Sequence, residues 1–434
     1  MKTLSSQPYK GTRDYYPAEK RVQNYIFSTW KRVVERHGYE EYGAPILEPL
    51  ELYAAKSGQE LVNEQTYTFT DRGGREVAIR PEMTPTISRM VAAKRQELAY
   101  PARLFSIANF MRYERPQRGR EREFWQLNVD IFGVDTIQAD IEIIALADKI
   151  LKEFGAKSGD YTIKVNSRVF INYMMTEYLG LDDERALQMT KIFDRRNKLS
   201  EAAFSDQVAE LLGSEADEKL AKTLAITEVK AIDQLPPELQ SAEALKDLTC
   251  IMETLSRAGV TDVEFDATLM RGLDYYTGTV FEIADTHPDN NRSLFGGGRY
   301  DGLVGLFGAE PISAVGFAPG NTMIEHFLEV HGLLPKNISN TDAYIATIGE
   351  APDVLAGANI LAETLRAKGL NVEVDITERK LDKQIKTATK KGIETVIFVG
   401  SEDLSRGAFP VKNLETGEDE TLDADGIVSK LRAI

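Results

Sequence analysis

The sequence predicts an α+β protein with two β-rich segments, a helical insertion between them and a C-terminal α/β domain. Segments with alternating β-branched and aromatic residues occur up to about residue 166 and return after residue 258. Between them, residues 167–257 show helical spacing of leucine, alanine and acidic residues, without strand patterns. From about residue 340, strand and helix patterns alternate, which is typical of parallel strands joined by helices.

Length and composition limit the classes of protein that fit. A chain of 434 residues is too long for one ordinary core, so we expect a main domain at 1–166 and 258–336, the insertion at 167–257, and a last domain at 340–434. The net charge of −16 argues against nucleic-acid binding through bulk charge but permits a local basic patch.

Targeting and redox patterns predict a cytoplasmic protein. The N-terminus, MKTLSSQPYKG, lacks the apolar core of a signal peptide, and no apolar run is long enough to span a membrane. The single cysteine, Cys250, excludes an intrachain disulfide and a cysteine-based metal site. Its apolar surroundings, LTCIMETL, predict a buried side chain.

The elements of the first half follow from apolar spacing. Residues 18–37 predict an amphipathic helix ended by Gly38, and an extended segment containing Pro45 follows. Residues 66–84 predict a hairpin around the turn DRGG, followed by a helix to about residue 96. Two further strands then enclose an arginine-rich loop, and a helix follows at 138–153.

The loop RYERPQRGRER at 112–122 has five arginines between apolar strands. Guanidinium groups fork onto phosphate oxygens, so converging arginines suggest a polyphosphate, with a solvated loop as the alternative. On the following strand, alternation places Gln126, Asn128 and Asp130 on one face. With Glu82 and Thr84 this face predicts a pocket for a cationic or hydrogen-bonding molecule; exposure to solvent is the other interpretation.

The stretch RGLDYYTGTVFE at 271–282 predicts a strand that carries a cation and two phenols. Without a bulge, Arg271, Tyr275 and Thr277 share one face and Tyr276 lies on the other. This pattern suggests a site for an anion together with a planar polar ring, although a surface cation–π pair would also explain it. The four histidines show no spacing typical of a metal site.

Near the C-terminus, RKLDKQIKTATKK predicts a helix whose Lys383, Lys386 and Lys390 form a basic face. In an acidic chain this face is a candidate contact for the RNA backbone, while a solvated helix face is the default interpretation.

Taken together, these stretches resemble the histidyl-tRNA synthetase family of class II aminoacyl-tRNA synthetases over essentially the whole chain. FMRYERPQRGREREFWQLNVDIFG resembles the class's second motif, and RGLDYYTGTVFE and GGGRYDGLV resemble two histidine-specific motifs. YGAPILEPLELY, with Pro45, resembles the first, dimer-forming motif. The resemblance implies a six- or seven-stranded antiparallel sheet, a C-terminal anticodon-binding domain and a homodimer.

The resemblance also implies roles for individual residues. Glu82, Thr84 and Gln126 would hold the α-amino group of histidine, and Asp130 and Tyr276 would hydrogen-bond its imidazole. Arg112 and Arg271 would be catalytic at the ATP α-phosphate. The residues implied for histidine are Glu82, Met83, Thr84, Gln126, Asp130, Tyr275 and Tyr276; for ATP, Arg112, Glu114, Arg120 and Arg122; for tRNA, Arg118, Lys383, Lys386 and Lys390. Arg120 and Arg122 would lie near ATP or near the acceptor end of the tRNA.

The implied reaction uses ATP, with Mg²⁺ bound to its phosphates rather than to a protein cluster, to activate histidine and transfer it to tRNA(His). A non-catalytic regulatory subunit of ATP phosphoribosyltransferase is the alternative within this family. Two positions depart from the family pattern: Asp130 stands where glutamate is frequent, and Met323 stands where the third motif usually has an arginine for the γ-phosphate. Asn321 is predicted to cap the helix that follows.

Overall fold

The structure is a computed structural model that divides into two units. One unit comprises Met1–Asp14 with Gln23–Leu334, and the other comprises Tyr15–Val22 with Pro335–Ile434. Of the predicted site residues, Arg118 and Arg271 lie outside the described residues. The described residues are 4–54, 64–117, 119–196, 199–270, 275–290, 292–335, 339–349, 352–377 and 379–432.

Strands up to residue 317 belong to the first unit. They are β1 (Glu40–Glu41), β2 (Leu47–Pro49), β3 (Tyr67–Thr70), β4 (Glu76–Ile79), β5 (Ala102–Met111), β6 (Glu123–Phe132), β7 (Tyr161–Ser167), β8 (Val263–Phe265), β9 (Thr279–Asp285), β10 (Ser293–Arg299) and β11 (Ala314–Phe317).

The helices up to residue 330 include the predicted helix after the first hairpin and the predicted helix at 138–153. They are α1 (Pro17–Arg36), α2 (Glu51–Ala54), α3 (Thr84–Ala93), α4 (Gln138–Glu153), α5 (Arg168–Tyr173), α6 (Asp183–Asp194), α7 (Glu201–Leu212), α8 (Ala216–Thr227), α9 (Pro237–Gln240), α10 (Lys246–Arg257) and α11 (Asn321–Val330).

The central sheet is larger than predicted. In the described part of the first unit it has eight strands in the order β1-β5-β6-β11-β10-β9-β7-β8. The six inner strands pair antiparallel, as predicted, whereas the short edge strands β1 and β8 pair parallel with β5 and β7. Strands β2, β4 and β3 form a separate small sheet, which contains the predicted hairpin.

Alternation along β6 explains how one sheet carries both a core and a site. Leu127, Val129 and Ile131 are buried in the hydrophobic core on one face, while Gln126 and Asp130 point to the other face. Helix α4 covers the apolar face, and its buried Ile143 and Ile150 follow the helical period. The predicted separation of faces on this strand is confirmed.

The insertion contains helices throughout its described part, from α5 to α10. Cys250 lies in α10 and is exposed, so the prediction of a buried thiol was wrong. The apolar stripe of α10 consists of Leu248, Ile251 and Leu255, and Cys250 falls on the opposite face of that helix. The domain boundaries at residues 167 and 257 stay a prediction.

The predicted strand at 271–282 begins later than expected. Strand β9 starts at Thr279, and Tyr275 and Tyr276 lie in the turn before it, while residues 271–274 are outside the described part of the chain. The predicted extent of the strand was wrong. The assignment of the two tyrosines to opposite faces, which held only for a strand without a bulge, therefore does not apply. A turn allows consecutive side chains to converge, which a pleated strand does not.

The second unit alternates helices and strands around its own core. Parallel pairing of β12 (Ala343–Thr347) with β13 (Val372–Val374) and β14 (Thr395–Val399) confirms the predicted α/β pattern. Strands β15 (Phe409–Asn413) and β16 (Asp419–Leu422) add an antiparallel hairpin that was not predicted. In the described residues, no helix is long and apolar enough to cross a membrane. The elements are β12 (Ala343–Thr347), α12 (Pro352–Ala367), β13 (Val372–Val374), α13 (Leu381–Lys390), β14 (Thr395–Val399), α14 (Ser401–Arg406), β15 (Phe409–Asn413), β16 (Asp419–Leu422) and α15 (Ala424–Arg432).

Candidate active site

A cavity of about 470 Å³ lies on the polar face of the central sheet. Its walls come from the turn between β4 and α3, from β6, from the turn before β9, and from β10 and β11. It brings together most of the predicted site residues that the structure describes. Those on its wall are Glu82, Met83, Thr84, Arg112, Glu114, Arg120, Gln126, Asp130, Tyr275 and Tyr276.

One wall joins the turn after β4 to the turn before β9. The Tyr275 hydroxyl donates to Glu82 Oε2 at 3.2 Å and approaches Thr84 Oγ1 at 3.4 Å. Glu82 is buried, and Pro81 before it places the turn at the end of the small sheet. A buried carboxylate beside two hydroxyls fits an ammonium group, because a cation would neutralise it inside the cavity.

Asp130 lies on the β6 wall and is 5% exposed. Tyr300, at the end of β10, donates a short hydrogen bond to Asp130 Oδ1. Burial raises the pKa of Asp130 to about 7, and the Tyr300 hydrogen bond opposes that rise. The carboxylate thus keeps an acceptor oxygen for a ring N–H in an environment where an unpaired charge is costly.

Two glycines leave space for the Asp130 and Tyr276 side chains at the cavity wall. At Gly316 an added Cβ would overlap Asp130 Oδ1 and lie 2.5 Å from the Val129 carbonyl. At Gly298 it would lie 2.6 Å from the Thr279 carbonyl and 2.8 Å from the Tyr276 ring. The glycine run in GGGRYDGLV therefore allows close strand and ring packing beneath the cavity.

The family resemblance implies that Tyr276 contacts histidine, so we expect Gly298→Ala to raise the KM for histidine in ATP–pyrophosphate exchange by ~10-fold or more. The added methyl group would force the Tyr276 ring or the adjoining Thr279 backbone to move. The KM for ATP should change much less. Gly302→Ala is the control, since its added Cβ meets nothing within 4 Å. Equal effects of the two substitutions would contradict this role of Gly298.

The cavity wall also carries the arginines Arg112 and Arg120. Arg112 Nε donates to the Pro81 carbonyl at 2.8 Å, and its guanidinium carbon lies 5.4 Å from the Phe124 ring centroid. Its Nη1 atom is 4.0 Å from Glu114 Oε1, beyond hydrogen-bond distance, whereas Arg120 Nη1 donates to Glu114 Oε2 at 3.3 Å. Arg112 is therefore held mainly by neutral groups and keeps donor capacity for an anion, while Arg120 is more exposed and shares a carboxylate.

Arg122, predicted to contact ATP, is not on the cavity wall. Its Nε donates to the Glu114 carbonyl at 3.2 Å, and its guanidinium carbon lies 4.0 Å from the Tyr113 ring centroid. The sequence pattern of the loop does not distinguish an arginine that bonds to other parts of the protein from one that contacts a ligand.

The helix after β11 begins differently from the prediction. Gly320 precedes the first turn of α11 with no side-chain cap, so Asn321 does not cap this helix. The Asn321 Oδ1 atom instead accepts a 2.8 Å hydrogen bond from the Trp125 backbone N–H. Met323 packs close to Gly119 at the tip of the arginine-rich loop. Asn321 thereby ties α11 to β6.

Several cavity residues were not predicted as ligands. Tyr300 was recognised only as part of a glycine-rich stretch, and its contact with Asp130 needs the antiparallel neighbours β10 and β11. Long-range pairing carries no local pattern that a single sequence reveals. Asn128 was predicted on this face but not named as a ligand; the other unpredicted residues on the wall include Gln65, Lys164, Phe193, Asp194, Asp266, Thr268 and Glu282.

Tyr300 itself is positioned by an ion pair below it. The neighbouring Arg299 is buried and pairs with Asp140 of α4, and it also donates to the carbonyls of Val134 and Thr136 at 3.0 Å. A buried guanidinium with this many acceptors holds the end of β10 in one place. The Tyr300 hydroxyl is consequently fixed over Asp130.

Comparison with known proteins supports one family. The family profile described as "Histidyl-tRNA synthetase" matches residues 11–322, and that described as "Anticodon binding domain" matches residues 342–434. A histidine–tRNA ligase of Leptospira biflexa is 39% identical over 99% of this chain and 98% of that protein. One from Halobacterium salinarum is 38% identical over 95% and 94%.

Solved structures share the fold. The crystal structure of a histidyl-tRNA synthetase from Nostoc sp. PCC 7120 superposes with a TM-score of 0.85 at 23% identity, covering 99% of this chain and all of that one. A structure described as an ATP phosphoribosyltransferase regulatory subunit/histidyl-tRNA synthetase from Bacillus halodurans has a TM-score of 0.74 at 24% identity, covering 92% and 99%.

Proposed function

The chain belongs to the histidyl-tRNA synthetase family, and from this membership we infer that it is a histidine–tRNA ligase whose active site is the cavity on the central sheet. The observation that carries the assignment of the site is the arrangement of charges in one cavity. Glu82 and Asp130 lie on the wall near the tyrosines, and Arg112 lies toward the arginine-rich loop. An amino acid with a cationic end and a polar ring, joined to a nucleotide phosphate, matches this combination of carboxylates, phenols and guanidinium groups.

We propose that Glu82, Thr84 and Gln126 bind the α-amino group, with Met83 forming the floor between them. All four line the cavity, and Met83 is buried. Asp130 and Tyr276 would bind the two ring nitrogens, with Tyr275 packed against Tyr276 at a centroid distance of 4.9 Å. A site that must pair both nitrogens of the ring rejects amino acids that lack them.

In the first step, an oxygen of the histidine carboxylate attacks the α-phosphorus of ATP, and the bond to the pyrophosphate oxygen breaks. The nucleophile is already an anion, so the step needs no general base. It needs the two anions to be brought together and the charge on the α-phosphate to be stabilised. Arg112 is positioned for this task by Pro81 and Phe124.

ATP would also contact Glu114 and Arg120, which line the same cavity. Mg²⁺ would enter with the ATP and neutralise its phosphates. Among the residues that the structure describes, no group of three or more histidine, cysteine or acidic side chains could hold a metal ion on its own. The ATP phosphates are the oxygen ligands that Mg²⁺ prefers in such sites.

In the second step, the terminal hydroxyl of tRNA(His) attacks the acyl carbon and AMP leaves. In the C-terminal unit, Lys383, Lys386 and Lys390 are exposed on α13, opposite its buried Gln384 and Ala388. This exposure supports the proposal that they contact the tRNA backbone. Arg118 is proposed as a further tRNA contact on the grounds of the motif alone.

We further propose a homodimer formed through the segment around Pro45. Ile46 and Leu47 in this segment are 40% and 45% exposed, which is high for aliphatic side chains next to a packed sheet. Apolar surface of this kind is typical of a subunit interface. The segment leads into β2, whose partner β4 ends at the histidine-binding turn.

The regulatory-subunit alternative is less well supported. The relatives at 38–39% identity are named histidine–tRNA ligases and match nearly the full chain. The chain also keeps the C-terminal unit and a cavity wall with Glu82, Arg112 and Asp130. The likeness to the Bacillus halodurans structure lies below 25% identity and shows the fold alone.

Histidine-dependent ATP–pyrophosphate exchange and the charging of tRNA(His) with labelled histidine test the proposed function. We expect both activities from the purified full chain, with no exchange when another amino acid replaces histidine. An active-site titration with labelled ATP should show one equivalent of adenylate per protein chain. Absence of exchange in a folded preparation would favour the regulatory alternative.

Arg271→Ala is expected to lower the exchange rate by ~10²–10³-fold, because the family resemblance places this arginine beside the α-phosphate and the substrate carboxylate. Arg257→Ala, at an exposed arginine of α10 that bonds Glu253, is the control. A near-normal exchange rate for Arg271→Ala would remove this residue from the mechanism.

A further inference from the structure

The N-terminal segment Tyr9–Arg13 lies against the base of the arginine-rich loop. The Arg122 backbone N–H donates to the Gly11 carbonyl at 2.6 Å, and the Arg122 Nη1 atom donates to the Tyr9 hydroxyl at 3.0 Å. The two segments are more than a hundred residues apart in sequence, so these bonds are tertiary contacts. We call residues 9–13 the N-terminal strap.

Gly11 is required for this close approach. Its φ of +88° lies in the region that favours glycine, and an added Cβ would lie 2.8 Å from both the Arg122 side chain and the Pro116 ring. The strap therefore touches the loop on both of its sides, through Pro116 on the outgoing arm and Arg122 on the returning arm.

Arg122 connects the strap to the arm of the loop that enters the cavity. The residue is 8% exposed, stacks on Tyr113 and donates to the Glu114 carbonyl. The Arg112 backbone N–H in turn donates to the Arg122 carbonyl at 2.8 Å. Both Arg112 and Glu114 line the cavity, so each is one hydrogen bond away from Arg122.

A second anchor fixes the other end of the strap. Arg13 lies 3.3 Å from Glu121 and donates to Glu325 of α11 at 2.5 Å. These groups are partly buried, so the pairs are less weakened by solvent than surface ion pairs are. The strap is thereby held at both the loop and α11, the helix that follows the cavity strand β11.

We propose that the N-terminal strap and Arg122 form a clamp that positions Arg112 and Glu114 for ATP, and that Arg122 acts through this clamp rather than by touching the nucleotide. Arg122 is then a positioning residue. The clamp offsets the repulsion between like charges in this long, arginine-rich loop. The inference rests on the proposed function only in naming ATP as the ligand that benefits.

The first measurement follows hydrogen exchange of residues 113–117 in the free full chain. Gly11→Ala and Tyr9→Phe should each increase exchange in this segment, and Arg122→Ala should increase it most. The matched control is Gly74→Ala, because Gly74 has a similar φ of +80° but open space around its Cβ position. This measurement uses no substrate, so its result does not depend on the assigned reaction.

The second measurement is steady-state ATP–pyrophosphate exchange. Each clamp variant should lower kcat/KM for ATP by ~10- to 10²-fold, as expected for a misplaced catalytic group, while the KM for histidine stays within about two-fold. Combining Gly11→Ala with Arg122→Ala should be no worse than Arg122→Ala alone, because both break the same clamp. Arg72→Ala, at an exposed turn, controls for loss of a positive charge.

The outcomes separate the two roles of Arg122. One outcome is that Arg122→Ala lowers ATP–pyrophosphate exchange while Gly11→Ala and Tyr9→Phe leave both the hydrogen exchange of residues 113–117 and the kinetics for ATP unchanged. In that case Arg122 acts directly on the nucleotide and the clamp is refuted. If Arg122→Ala fails to fold, the two milder variants still decide the question. If wild type lacks exchange activity but the hydrogen-exchange pattern holds, the clamp stands and the proposed function fails.

Discussion

Replacement of Arg112 by alanine is expected to lower histidine-dependent ATP–pyrophosphate exchange by ~10²–10³-fold. The guanidinium is held by the Pro81 carbonyl and the Phe124 ring, so it is preorganised before ATP arrives. It lines the cavity that also contains the carboxylates for histidine. Loss of the group removes stabilisation at the point where the two anions meet.

The kinetic pattern should identify the step. Because Arg112 acts on the transferring phosphate, kcat should fall with little change in the KM for histidine. Arg112→Lys should recover only part of the activity, since an ammonium group retains the charge but cannot reproduce the planar fork and its bond to Pro81. A rise in the KM for histidine with kcat unchanged would show that Arg112 binds the amino acid rather than the transferring phosphate.

Local patterns predicted the fold where one element determines its own geometry. The two-residue period of β6 was enough to place Gln126 and Asp130 on one face, and the apolar period was enough for α4. The helical insertion and the alternating C-terminal unit followed from the same reasoning. Such patterns are local consequences of backbone geometry and burial, so a single sequence contains them.

Errors arose where the position of a side chain depends on distant segments. Tyr275 and Tyr276 converge because β9 begins only at Thr279, and the start of that strand is set by pairing with β7 and β10. Asn321 bonds to β6 instead of capping its own helix. Arg122 faces a strap that begins more than a hundred residues earlier. None of these contacts has a local sequence pattern.

Asp130→Asn is expected to lower kcat/KM for histidine by ~10²–10³-fold, because the buried carboxylate is the proposed acceptor for a ring N–H. An amide oxygen retains some acceptor capacity, but the amide loses the charge that favours the polar ring inside the cavity. The Tyr300 hydroxyl would still donate to the remaining oxygen, so the fold of this wall should persist. An equal kcat/KM for histidine in wild type and Asp130→Asn would exclude Asp130 from the recognition of histidine.

The same substitution should change how stability depends on pH. Burial raises the folded-state pKa of Asp130 from 3.8 to about 7. Between these values the folded protein retains a proton that the unfolded chain releases, so the free energy of unfolding falls as the pH rises. The loss contributed by Asp130 is complete above pH 7 and amounts to at most about 4 kcal/mol.

An uncharged amide in place of this carboxyl group would carry no such loss, so urea unfolding of Asp130→Asn and wild type should diverge by ~3 kcal/mol between pH 5 and pH 8, in favour of the variant at the higher pH. If the free energies of unfolding of the two proteins changed with pH in parallel, the pKa of Asp130 would not be raised in the folded protein. Saturating histidine should narrow the difference at pH 8, because the bound ring would donate a hydrogen bond to the Asp130 carboxylate and stabilise its charged form. The charged Asp130 carboxylate would thus lower the free energy of unfolding of the free protein, and bound histidine would restore part of it. The same group would link the stability of this wall to the recognition of histidine.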